Sequence, residues 1–187
     1  MSSILKVDEI QDTSGNNIIN ENAGTITVGK AGNTTNIVGT LQNDGAALVT
    51  GKLLQVVQSI TNTNISTTST TYQDVLTANI TPSSTSSKIL ILTNVPCRKE
   101  DSAAGNNAVG LRILRDATVL NTFGQYIAWN DNNTVFEQET GSFDYLDSPN
   151  STSQITYKTQ FRSMTGGQVA VCHDTSGASL TLMEIAG

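Results

Sequence analysis

The run Tyr145-Leu-Asp-Ser-Pro-Asn-Ser-Thr-Ser-Gln-Ile-Thr-Tyr-Lys-Thr-Gln-Phe161 divides into a turn and a strand. Ile155, Tyr157, Thr159 and Phe161 alternate with Gln154, Thr156, Lys158 and Gln160. That period of two belongs to a strand with one buried face. Leu146 closes an apolar strand end, and Asp147-Ser148-Pro149-Asn150 supplies the side-chain hydrogen bonding and fixed φ that reverse a chain. A strand, a turn and a strand in this order set the class as β.

Composition extends the reading outward. Of 187 residues, 37% are hydrophobic and only 14% charged, so the polar character falls to Thr, Ser, Asn and Gln. Such residues suit a pleated surface, whereas Ser, Thr and Asn compete with a helix for their own backbone groups. No stretch reads as a helix. Sixteen acidic against ten basic residues give a net charge of −6, and Arg98-Lys99 is the longest basic cluster. Nucleic acid is excluded as an expected partner, because phosphate binding needs a concentrated basic footprint. No apolar run approaches the ~18 residues of a membrane span, so membrane insertion is not expected. The opening Met1 to Ile10 lacks the basic and apolar regions of a secretory signal, which points to synthesis and retention in the cytosol. Cys97 and Cys172 fit no metal or redox motif; they read as small buried hydrophobes, with an inter-strand disulfide as the lesser alternative.

Two regions are expected. Residues 1–52 contain no Pro, Cys or aromatic residue, and their apolar residues form small groups separated by Gly- and Asn-bearing spacers. Ile4, Leu5, Val7, Ile10, Ile18, Ile26 and Val28 lead these groups, each read as a short strand. So few large apolar side chains cannot offset the chain entropy of the segment. Copies from several chains are therefore expected to wrap around a shared axis and complete one another's core.

Residues 53–187 read as a β-sandwich or jelly roll. Expected strands are 53–60, 72–80, 88–95, 109–114, 119–123, 135–139, 142–146, 154–161, 168–172 and 179–185. Lys88 to Val95 is apolar on both faces, the mark of a central strand covered on both sides. In the last strand Leu180 and Leu182 face one way and Met183 and Ile185 the other, which places it centrally or at a subunit interface. Residues 98–107 and 124–133 read as loops.

No motif carries chemistry. Gly24-Thr-Ile-Thr-Val-Gly29-Lys30-Ala31 has the glycine and lysine spacing of a phosphate loop, but Ala31 stands where a hydroxyl must ligate Mg²⁺. Asp12-Thr-Ser-Gly15 and Asp174-Thr-Ser-Gly177 read as turns with Gly in the left-handed position. His173 is the sole histidine, and Asp174 would point away from it if both lay in a strand. Glu137 and Glu139 share a strand face, the spacing of a glycosidase pair but more simply a solvated stripe. No catalytic residue, cofactor or metal is assigned, and an enzyme is not expected. For recognition, Tyr126 and Trp129 offer flat apolar faces for sugar rings, and Asp131, Asn132 and Asn133 offer partners for hydroxyls. The competing reading has Trp129 plugging the sandwich or a trimer interface.

Leu5-Lys-Val-Asp-Glu-Ile-Gln-Asp-Thr-Ser-Gly15, Gly24-Thr-Ile-Thr-Val-Gly29, Tyr145-Leu-Asp-Ser-Pro149 with Ile155-Thr-Tyr-Lys158, and Leu180-Thr-Leu-Met-Glu-Ile185 resemble bacteriophage virion appendage proteins of the tail-fibre kind, those of marine phages in particular. The resemblance implies a homotrimer located in the virion, with an N-terminal region attaching to other phage tail or capsid proteins and a jelly-roll-like C-terminal head. It implies a short tail fibre or fibre tip that contacts the host surface, with surface polysaccharide as a partner; the alternative is a capsid-decorating head fibre, a cement protein or a tail-to-fibre adaptor.

Overall fold

The computed structural model describes residues 42–43, 46–47, 52–100, 106–131 and 136–187. The chain divides into two compact units, Met1–Val49 and Thr50–Gly187. In the first, β1 (Gln42–Asn43) and β2 (Ala46–Ala47) form a short antiparallel ladder with Gln42 opposite Ala47. The expected attachment residues Ile4, Leu5, Val7, Ile10, Ile18, Ile26 and Val28 lie outside the described residues.

The second unit is all β. Its strands are β3 (Leu53–Thr61), β4 (Ile65–Thr67), β5 (Gln73–Ile80), β6 (Lys88–Lys99), β7 (Asn107–Arg115), β8 (Thr118–Asn130), β9 (Glu137–Asp147), β10 (Ile155–Ser163), β11 (Val169–Val171) and β12 (Ala178–Ile185). They pair from the outside in. β3 lies antiparallel to β12, β5 to β10, β6 to β9 and β7 to β8, as in a long hairpin doubled along its length. The short β4 and β11 pair within the same ribbon. Wrapping then joins β12 to β6 and β10 to β7. One sheet carries β5-β10-β7-β8; the other runs β3-β12-β6, with β9 on the far side of β6 and β11-β4 continuing beyond its end. Among the eight long strands, first with last and second with next-to-last pairing across two sheets is the jelly roll.

The core lies between the sheets and follows the alternation of the strands. Ile155, Tyr157, Thr159, Phe161 and Ser163 of β10 are buried while the residues between them are half-buried. They meet Ile89, Ile91, Thr93, Val95 and Cys97 of β6, Leu180 and Leu182 of β12, and Leu111 and Ile113 of β7. Thr93, Thr159, Tyr157 and Asp147 are buried in this layer and are paired, which offsets the cost of placing polar groups in a low-dielectric interior. The Thr93 and Thr159 hydroxyls meet at 3.1 Å from opposite sheets. Tyr157 donates its phenol to Asp147 at 2.6 Å, and Arg115 places one nitrogen 2.9 Å from both oxygens of the same carboxylate. Burial, then the hydrogen bond to this carboxylate, push the Tyr157 phenol far above its ordinary pKa. Cys97 and Cys172 are free thiols, both fully buried, and burial pushes Cys97 up to about 12.

Several expectations are corrected. β9 and β10 flank the Asp147–Asn150 turn but pair with different neighbours, so the turn carries the chain from one sheet to the other instead of closing a hairpin. β6 continues through Pro96 to Lys99, where a loop was expected. Pro96, which has no N–H to give, falls between the end of the β12 ladder at Asn94 and the start of the β11 ladder at Cys97. Its carbonyl accepts the Cys172 N–H at 3.0 Å. β9 is one strand through Gly141, where a break was expected. A Cβ at Gly141 would stand 2.2 Å from Leu111 Cδ1, so this glycine permits close approach of the two layers and makes no turn. In the turn after β11 the left-handed residues are Cys172, Asp174 and Thr175, with φ of 56°, 50° and 65°, and not the glycine of the Asp-Thr-Ser-Gly motif.

Glu184 ties the C-terminal strand to the rest of the sandwich. Its buried carboxylate accepts the Ser83 N–H and hydroxyl at 2.7 Å each and the Gln55 amide at 2.6 Å, joining β12, β3 and the loop between β5 and β6. The Ser87 hydroxyl lies close enough to favour the charge but makes no hydrogen bond of normal geometry. Burial opposes ionisation, yet the hydrogen bonds from Ser83 and Gln55, with Ser87 nearby, outweigh it and hold the pKa at about 2 instead of 4.5.

A depressed folded-state pKa gives stability that is complete above the unfolded value and lost as pH falls toward the folded one. The Glu184 contribution is therefore expected at full strength at neutral pH and to disappear between about pH 4.5 and pH 2. Glu184→Gln should cost about 1–3 kcal/mol at pH 7 and flatten the acid limb, measured by urea denaturation as a function of pH. Gly141→Ala should cost about 1–3 kcal/mol through overpacking against Leu111, read from the same denaturation midpoints.

Candidate functional site

Tyr126 and Trp129 lie in β8, an edge strand of the four-stranded sheet, and not in the loop expected from their surroundings. β8 is irregular: its register against β7 shifts repeatedly, and Ala128 adopts φ of 55°. Glu139 fixes this bulge by accepting the Ala128 N–H at 2.7 Å. A bulge re-aims the side chains next to it. Tyr126 is 60% exposed and Trp129 47% exposed, so Trp129 does not plug the core of its own chain. Asp131 follows the strand and is exposed; Asn132 and Asn133 lie outside the described residues.

The carboxylates weighed for catalysis have structural partners. Glu139 holds the β8 bulge, and Glu137 sits opposite Lys99 across the β6–β9 ladder. His173 and Asp174 fall in a 3-10 turn after β11, not in a strand, and the turn brings His173 Nδ1 within 3.4 Å of Asp174. Arg98 joins Asp174 at 2.9 Å, pairs with Glu100 and lies over the Phe136 ring. Among the described residues no three His, Cys, Asp or Glu side chains are placed to hold a metal ion.

The outer face of the six-stranded sheet carries exposed apolar side chains. β3, β12, β6 and β9 align Val56, Met183, Leu90 and Leu146 in one cross-strand row. Val56 is 51% and Leu146 48% exposed, while Met183 and Leu90 are half-buried. Leu53, Leu54, Ile60 and Leu92 add exposed apolar surface around it. Beside the row, Leu92, Asn94, Ser142, Asp144, Ser179 and Thr181 line a shallow depression of about 400 Å³. The signal for this face was present in the two-faced apolar pattern of Lys88 to Val95 and of Leu180 to Ile185. What it required was the register that sets the four strands side by side.

The outer face of the four-stranded sheet has the opposite character. Lys158 and Gln160 of β10 share Asp74 at 2.6 and 2.5 Å, and Gln160 accepts from Arg112 of β7 at 2.7 Å. One sheet thus presents hydrocarbon outward and the other a hydrogen-bonded polar layer.

No protein-family model and no curated protein matches the sequence. Among solved structures, the chain is similar to one of the T13 particle of infectious bursal disease virus, with a TM-score of 0.46 and 15% identity over 78% of this chain and 35% of that one. It is similar also to the VP2 subviral particle of the same virus, with a TM-score of 0.43 and 13% identity over 80% of this chain and 38% of that one. The chain spans little more than a third of the length of these virus-particle chains, and scores below one half carry no functional assignment.

Proposed function

We propose that this chain is a non-enzymatic structural protein of a phage particle, a homotrimer acting as a short tail fibre or fibre tip in attachment to the host surface. The observation that supports it is the exposed apolar row Val56, Met183, Leu90 and Leu146. Contiguous apolar surface on a folded chain marks a contact, and an exposed apolar edge strand such as β3 invites pairing or aggregation unless it is covered. A further copy of this chain is the occupant. Lys88 lies two residues before Leu90 on β6, and Asp144, the partner of Leu92, lies on the other side of the row. Both are exposed, and neither has an ion-pair partner among the described residues. Copies meeting on this face set the Lys88 of one against the Asp144 of the next around an apolar centre, the charge-complementary layout of a specific interface.

In this reading the N-terminal region joins the trimer to other tail or capsid proteins, and the protein resides in the virion. Tyr126, Trp129 and Asp131 on the bulged edge of the other sheet remain free for a surface glycan of the host. A capsid-decorating or adaptor role shares the trimer but makes no use of these aromatics.

Val56→Glu combined with Leu146→Glu should leave the fold intact, since both side chains are about half-exposed in the single chain, and should convert a trimer into monomers by light scattering. A wild-type monomer, or a double variant that stays trimeric, contradicts the interface. Trp129→Ala should leave the trimer and its melting temperature unchanged and reduce adsorption to host cells by about tenfold or more, the loss of a hot-spot aromatic. Unchanged adsorption instead assigns the chain to decoration or adaptor duty.

A further inference from the structure

The outer face of the four-stranded sheet contains a feature that neither folding nor trimer formation uses. Tyr72 immediately precedes β5, and two guanidinium groups lie over its ring, Arg112 from β7 at 4.0 Å and Arg162 from β10 at 4.7 Å from the centroid. The four arginines of the chain differ in their company. Arg98 pairs with Glu100 and Asp174, and Arg115 with Asp147. Arg112 and Arg162 have no carboxylate within ion-pair distance among the described residues. Two like charges on one ring repel each other, and the attraction of an aromatic face for a cation offsets only part of that cost. Asp74, engaged by Lys158 and Gln160, feels the Arg112 charge without ion-pair contact, so in a chain of net charge −6 two guanidinium groups meet here with no carboxylate in direct contact.

The hydrogen bonds of the pair leave donors open. Arg112 spends Nε on the Gln160 side-chain oxygen at 2.7 Å, which anchors the guanidinium over the ring and leaves both terminal nitrogens. Arg162 makes one long contact, Nη1 to the Thr70 carbonyl at 3.4 Å, and its buried Nε has no partner. A guanidinium placed over an aromatic ring keeps its N–H donors available at its edge, and a free pair of them grips a carboxylate or sulfate with two parallel hydrogen bonds.

We propose that Arg112, Arg162 and Tyr72 form an anion-binding site for a sugar polymer bearing carboxylate or sulfate groups. The surroundings favour a polysaccharide over an acidic protein segment. Ser69, Thr70, Thr71 and Gln73 flank Tyr72, and Gln160 bridges Arg112 to Asp74, whose carboxylate Lys158 pairs, so hydroxyl and amide groups border the cations. The cross-strand row of exposed aliphatic side chains lies on the other sheet, and the exposed Val119, Tyr126 and Trp129 of this sheet lie on β8, at the opposite edge from the strand that Tyr72 precedes. Sugar hydroxyls beside the anionic group find donors and acceptors here without needing an apolar pocket.

The test uses the full purified chain and immobilised polygalacturonate, dextran sulfate, neutral dextran and poly-glutamate, with galacturonate and inorganic sulfate as soluble competitors. Binding to at least one anionic polysaccharide and not to dextran is expected, with a loss of tenfold or more in each of Arg112→Gln and Arg162→Gln. Arg112→Lys combined with Arg162→Lys keeps the charge and removes the forks; its several-fold loss separates bidentate recognition from a diffuse positive field. Circular dichroism and melting temperature confirm folding of each variant, and should one single variant fail to fold, the other and the lysine pair carry the test. The proposal is overturned by equal polymer binding in the variants, by preference for poly-glutamate, by binding of inorganic sulfate without either polymer, or by a folded wild type that binds no anion. Because the assay uses purified protein, its outcome is independent of whether the trimer adsorbs to cells.

Discussion

Strand β6 must be covered on two sides, and the structure of the second unit follows from that requirement. Ile89, Ile91, Val95 and Cys97 point into the sandwich and are fully buried, while Leu90 and Leu92 point the other way. The four-stranded sheet satisfies the first set. Within one chain nothing described satisfies the second, because the neighbouring strands bring Val56, Met183 and Leu146 to the same open face. Burying apolar surface contributes roughly 25 cal/mol per Å², so hydrocarbon exposed over a cross-strand row is a standing drive to associate.

The doubled ribbon explains how this arises. β6 takes β9 along one edge, and along the other it takes first β12 and then β11, with Pro96 at the junction where no backbone donor is needed. The pairing of β3 with β12 delivers the exposed edge strand to the same sheet, and Glu184 fastens that pair to the loop leading into β6. One sheet thereby presents an open apolar face. The other sheet, bonded internally through Asp74, Gln160 and Arg112, has side chains to spare for a soluble or surface-bound ligand.

Local patterns made the strands legible. The alternation from Ile155 to Phe161 is a burial pattern in the folded chain, and the two-faced run from Lys88 to Val95 is the central strand. Reading failed where Gly or Pro performs a tertiary duty. Gly141 reads as a break because its contact with Leu111 belongs to the other sheet, and Gly124 reads as the start of a loop because the irregular course of β8, which brings Ile127 within 2.6 Å of an added Cβ, leaves no regular alternation. Pro96 reads as a strand end because its tolerance depends on a change of partner that only the assembled sheet reveals. Of the candidate site, Tyr126 and Trp129 were identifiable by type, but their place on a bulged strand was not. Arg112, Arg162 and Tyr72 come from three strands' worth of separate sequence, and only the β5-β10-β7 register brings them to one ring.

The central claim is that the outer face of the six-stranded sheet is buried between copies of this chain. Hydroxyl-radical footprinting of the purified protein tests it within one molecule, because Met183 and Met164 are both half-buried in the single chain and only Met183 lies on that face. The account predicts that Met183 is protected at working concentration, that Met164 is oxidised, and that protection of Met183 is lost on dilution to monomers. Equal oxidation of the two methionines at every concentration would contradict it.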